Sequence, residues 1–174
     1  LEAFFDCLHL LRVDPRLHQV IDFDQLGTGW VDVPQPEEGG ALIQRARELY
    51  PESPGPDILA HWLARRPEDV RLFRDHRGVA RLVTLHTVLD GFDAVDLAGD
   101  PSLRTLAATL DEMGGVEAGQ RIVLSTQIFT DPDLPPLLKL RHHWSVYATV
   151  RTTNVAFATI LTSAAFGAFA AAHG

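Results

Sequence analysis

Apolar positions along the chain switch repeatedly between helical spacing and strand-like alternation, and the switches predict a mixed architecture. Residues 3–13 place Phe4, Leu8 and Leu11 at helical spacing, with Phe5 beside them. Asp14-Pro15 breaks that pattern, and 16–21 reads as another short turn of helix. The composition of 25–29 is that of a linker. A boundary near residue 28 follows, with an N-terminal helical segment at 1–28 and one domain at 29–174. Trp30-Val31-Asp32-Val33 alternates like a short strand, closed by Pro34 and Pro36. Glu37 and Glu38 stand where a helix N-terminus favours negative charge, and Ala41, Leu42, Ala46 and Leu49 supply the apolar face up to Tyr50. After a loop with Pro51, Pro54 and Pro56, Asp57 is the predicted N-cap of a second helix. Its face is Ile58, Leu59, Trp62 and Leu63, and Pro67 ends it.

The clearest strand signal comes next. Residues 70–74 and 79–89 alternate or run apolar on either side of Asp75-His76-Arg77-Gly78, a polar connection ending in Gly that predicts a hairpin. Asp90, Asp93, Asp96 and Asp100 lack the spacing of a calcium-binding helix–loop–helix and read as a solvated acidic loop. Asp100-Pro101 opens a helix with Leu103, Leu106, Ala107 and Leu110 on one side, stopped by Gly114-Gly115. A strong strand at 122–129, a turn at 131–136, a helix at 137–147, a strand at 154–161 and a small-residue helix at 164–172 complete the chain. The fold class expected is α+β: a mixed central sheet flanked by helices, antiparallel around the hairpin, with a parallel C-terminal strand pair made by the last crossover. The last two strands should be buried, because their runs are apolar rather than alternating.

A chain of 174 residues suffices for one domain and one core, with no disulfide or metal staple. The net charge of −8 argues against a nucleic-acid backbone as partner. Cys7 is the only cysteine, which excludes intrachain disulfides and multi-cysteine zinc sites and fits a reducing, cytoplasmic setting. No basic leader precedes an apolar core, so no secretory signal is expected. The start at Leu1 suggests a piece of a longer protein or missing first residues. Residues 155–172 are the one stretch that suggests a membrane span, but they are built on Ala, Thr, Ser and Gly, so a buried strand and helix are expected and no membrane partner.

The order of elements resembles the GNAT superfamily of acyl-CoA N-acyltransferases over about residues 29–174. The resemblance rests on helix–helix–hairpin at 36–67 and 70–89 and on strand–helix–strand–helix at 122–129, 137–147, 154–161 and 164–172. It also rests on Asp100-Pro101 with Gly119-Gln120-Arg121 leading into a strand, a pattern associated with GNAT-like modules in larger bacterial proteins. The resemblance implies acetyl-CoA or another acyl-CoA as cofactor, gripped by the main chain of Ile128, Phe129 and Thr130. In the family, a turn of the form [Gln/Arg]-x-x-Gly-x-[Gly/Ala] then offers N–H groups at a helix N-terminus to the pyrophosphate. Here that turn reads Thr130-Asp131-Pro132-Asp133-Leu134-Pro135-Pro136. It has no glycine for left-handed dihedrals or close approach, and its three prolines remove three donors. Asp133 reads as the cap of the following helix, and two carboxylates stand where a phosphate would sit. At an effective dielectric near 20, two unit charges about 4 Å apart repel by about 4 kcal/mol.

GNAT enzymes commonly use a carboxylate or water as base and a Tyr on the last helix as acid. The 164–172 segment offers only Phe166 and Phe169 as aromatics, so the catalytic candidates are Tyr147 and His142 on the preceding helix. In His142-His143-Trp144, adjacent helical residues point about 100° apart, so the two histidines should not share a metal, and no metal site is expected. One structural and one exposed histidine is the plainer expectation. Cys7 and His9 lie two apart on different helix faces, and Ser125 and Thr126 lack a nucleophile elbow. Trp30, Trp62 and Trp144 read as core or interface anchors. Three readings follow. The first is a GNAT-like module with altered or lost acyl-CoA chemistry, acting as a binding or regulatory domain beside other domains of a larger protein or a protein partner. The second is an active acyl-CoA-dependent N-acyltransferase (an acetyltransferase) working on an amine. The third is a purely structural domain.

Overall fold

The structure, a computed structural model, describes residues 29–135, 138–139, 142 and 155–160. They form an α+β fold in which a five-stranded sheet has the order β1-β2-β3-β4-β5. The strands are β1 (Gly29–Asp32), β2 (Val70–Asp75), β3 (Ala80–Leu89), β4 (Arg121–Thr130) and β5 (Val155–Ile160). The first four are antiparallel to their neighbours, and β5 runs parallel to β4 from Arg121↔Val155 to Thr126↔Ile160. Between β1 and β2 lie α1 (Gly39–Leu49) and α2 (Gly55–Arg65); between β3 and β4 lie α3 (Ala94–Gly99) and α4 (Pro101–Glu112).

One face of the sheet carries the main core. Val70, Leu72, Val83, Leu85, Ile122 and Leu124 meet Leu42, Ala46, Ile58, Leu59, Trp62, Leu103 and Leu106 from the helices. Each such large side chain contributes roughly 1.5–3 kcal/mol of burial. Trp62 is fully buried, and its indole N–H still finds a partner: Nε1 donates to Asp100 Oδ2 at 2.9 Å. The other Asp100 oxygen accepts from the Ser102 N–H at 2.9 Å, capping α4. One desolvated carboxylate thus joins α2 to the start of α4.

Two sequence expectations need correcting here. The acidic run is not a solvated loop. Asp93 caps the short helix α3 through the Asp96 N–H, and Asp96 is buried against Arg65 Nε at 3.0 Å and His61 Nε2 at 3.1 Å. A backbone N–H of a helix start attracts the nearest carboxylate, and four Asp residues in eleven positions supply one at each turn. Nor is Asp57 an N-cap. It is exposed, and α2 begins two residues earlier, with the Pro54 carbonyl accepting from the Asp57 and Ile58 N–H groups at 3.1 and 3.0 Å. Pro54 and Pro56 carry the fixed φ and missing N–H that suit a first turn, so they move the start forward.

The hairpin turn forms at Asp75–Gly78, with Gly78 at φ 80° and Asp75 Oδ1 accepting from the N–H groups of Arg77 and Val79. The 1–28 segment, Tyr147, His143, Trp144, Cys7, His9 and the 164–172 segment lie outside the described residues. Among the described residues no helix is long and apolar enough to cross a membrane.

β1 is fastened by Arg74, whose Nε meets Asp32 Oδ2 at 2.9 Å and whose Nη2 meets Glu38 Oε2 at 2.7 Å. The Arg74 guanidinium holds the Glu38 carboxyl below its ordinary range, and the Val33 N–H, with help from Arg74, does the same for Asp32. A carboxyl lowered in the folded state contributes stability above its unfolded value and loses it as pH falls. Stability should therefore decline below about pH 4.5, and Arg74→Met should flatten that decline, as read by urea unfolding at several pH values. Asp100→Ala should cost about 3 kcal/mol in urea unfolding at neutral pH, about 1 from the cap and the rest from an orphaned indole N–H.

Candidate functional site

The bend after β4 is built by two β-bulges. Phe73 pairs with Leu82 and Arg74 with Ala80, so Arg81 is the extra residue of β3. Val83 pairs with Phe129 and Thr84 with Gln127, so Ile128 is the extra residue of β4. A bulge re-aims the side chain it carries. Here it sends Arg81 to the bend, where Nε lies 2.7 Å from Asp131 Oδ2 as an ion pair, and the Arg81 carbonyl accepts the Asp131 N–H at 2.8 Å.

Asp131 is buried at the centre of this arrangement. Arg45 of α1 adds Nη2 to its Oδ1 at 3.0 Å, and the Tyr50 hydroxyl donates to the neighbouring Thr130 carbonyl at 3.0 Å. Arg81 also faces Asp75 at 3.4 Å and the exposed Asp133 at 3.6 Å. The start of α2 closes in from the helical side: a Cβ on Gly55 would stand 3.2 Å from the Ile128 carbonyl oxygen, so glycine lets the backbones approach. Free repulsion between Asp131 and Asp133 is therefore not what the bend displays. Asp131 is compensated by two guanidiniums, and only Asp133 points to solvent. Asp133 is also not the cap of the next helix. The Leu138 and Lys139 N–H groups return to the Pro135 carbonyl, which marks the onset two residues later.

The opposite face of the sheet holds a smaller apolar cluster, Phe73, Leu82, Leu134 and Leu138, and beside it a buried polar chain. Thr84 Oγ1 lies 2.6 Å from His142 Nε2 and 2.9 Å from His86 Nε2. A hydroxyl has one proton, so Thr84 donates to at most one ring, and at least one Nε2 carries a hydrogen. His142 is fully buried and packs edge-on to Phe73 at 6.4 Å. The structure thus places His142 under the sheet, one register step from the Ile128 bulge, while Phe129 is in the main core and Thr130 is held by Tyr50. Ser125 and Thr126 are both buried.

Among titratable groups, burial pushes the Asp69 carboxyl up, with a Thr87 hydrogen bond opposing. It lies in the turn before β2, at the other end of that strand from the hairpin, and so takes no part in the bend. Sequence reasoning missed Arg45, Tyr50, Arg81, Thr84 and His86. For Thr84 and His86 a signal existed: two polar residues at spacing two in an apolar strand share one face. For Arg81 none did, because a bulge comes from pairing with other strands.

No protein-family model matches this chain, and no curated protein does either.

Thr84→Val keeps the shape and removes the hydroxyl from between two imidazoles, and should cost about 2 kcal/mol; Thr84→Ser should recover most of it. Asp131→Ala and Arg81→Met should each cost about 2 kcal/mol, with the double variant well short of their sum, in a urea-unfolding cycle.

Proposed function

We propose that the chain is a GNAT-like module with altered or lost acyl-CoA chemistry, serving as a binding or regulatory domain of a larger protein. The succession strand, two helices, hairpin, strand and a parallel last strand supports the likeness. One observation carries the functional half: the buried Asp131 carboxylate, gripped by Arg45 and Arg81, occupies the bend where the family seats a pyrophosphate.

A pyrophosphate needs main-chain donors or free cations. At this bend the Asp131 N–H serves the Arg81 carbonyl, the Leu134 N–H serves the Asp131 carbonyl, and Pro132 and Pro135 have none to give. Both guanidiniums already hold a carboxylate. With the Asp131 and Leu134 N–H groups and both guanidiniums engaged, the residues present are a poor fit for the group, through occupancy rather than open repulsion. The use proposed for the fold is partner recognition, with other domains of the larger protein or a separate protein as the partner.

The second reading, an active N-acyltransferase on an amine, is supported by the parallel pairing of β4 with β5 from Arg121↔Val155 to Thr126↔Ile160; in it the main chain of Ile128, Phe129 and Thr130 would grip the acyl-CoA. Calorimetry with acetyl-CoA separates the two readings. The proposal expects no stoichiometric heat in the micromolar range, and a saturable one-to-one isotherm there would overturn it in favour of the enzyme.

A further inference from the structure

At the far end of β4 from the bend lies an open groove of about 630 Å³, within the roughly 300–1,000 Å³ usual for small-ligand sites. It runs between the last turns of α4, the segment after β3 and the arch that leads into β4. The strand's ten residues put about 30 Å between this groove and Asp131. Its floor is apolar. Ile122 is buried, and Phe92, Leu110 and Val116 are half-buried at the margin of the main core.

The wall is preset. Gly114, Gly115 and Gly119 hold φ of 94°, 85° and 84°, a backbone course open to glycine at little cost. Gln120 staples the arch: its Oε1 accepts the Glu117 N–H at 3.2 Å, and its Nε2 donates to Glu117 Oε2 at 3.3 Å. The exposed Glu117 carboxylate thereby has a partner at the groove's edge, where the exposed Asp90 and Asp111 also stand. Arg121 reaches Asp90 at 3.6 Å, but among the described residues no ion pair reaches Asp111 or Glu117. The rim is thus net negative over an apolar floor. An anion would meet like charge there, and a neutral ligand would gain the floor alone.

We infer that this groove binds a small organic cation, a substituted ammonium carried on an apolar body about the size of one aromatic ring. The site is separate from the bend, so it stands whichever reading of the bend is right. The test is an amide-resolved NMR titration of the full chain with benzyltrimethylammonium, a probe that cannot be acylated, at fixed ionic strength. Saturable shifts are expected at the amides of Phe92, Val116 and Gln120. Affinity should fall at least fivefold in a D111N/E117Q variant, and to the same extent or more for phenylacetate and benzyl alcohol. Ala108→Trp, at an exposed α4 position on the groove, should abolish the shifts while leaving the melting temperature near that of the parent. The inference fails if those amides do not shift, if phenylacetate binds as well as the cation, or if Ala108→Trp leaves affinity unchanged.

Discussion

A single carboxylate taken out of water organises the bend after β4. Burying an unpaired Asp131 would cost several kcal/mol, so the fold around it is obliged to bring cations. Arg45 comes from a helix and Arg81 from a bulge in the adjacent strand, and neither is near Asp131 in sequence. The bulge at Arg81 and the bulge at Ile128 lie on either side of the same pair of registers, which lets two strands turn their ends toward one bend. Packing, backbone course and charge are thereby coupled at one point. The same coupling supports the proposed function, because a site that satisfies its own anion has little left for another.

How much of this was legible in the sequence depends on the range of the forces involved. Periodicity is local, and it located both helices after β1, the hairpin, α4 and the long strand that ends at Thr130 to within a few residues. The Asp75–Gly78 turn was readable because it needs only an acceptor side chain and one residue free to take positive φ. The acidic run misled for a related reason. Asp93, Asp96 and Asp100 resemble a solvated loop until His61, Arg65 and Trp62, more than thirty residues earlier, are brought against them.

The candidate site was less legible still. The run of Asp and Pro after β4 was visible in the sequence, and the structure makes a bend there. The physical reason for its effect was not visible, since nothing in the spacing says that residues 45 and 81 converge on residue 131. The Thr84–His86–His142 chain shows the same limit. Two of its members sit on one strand face, a pattern a reader can find, but the third arrives from beyond the bend. Polar residues in an apolar strand gain meaning only when their partner is known.

One further property follows from the proportions of β1. It is the outermost described strand on its side of the sheet, and it has only four residues, one of them the Asp32 that Arg74 holds. A foreign strand aligning there would gain very few ladder bonds and would meet a charged side chain at the end of its register. The sheet is thus shielded from accretion on that flank by brevity, which bears on how concentrated the protein can become before it begins to self-associate.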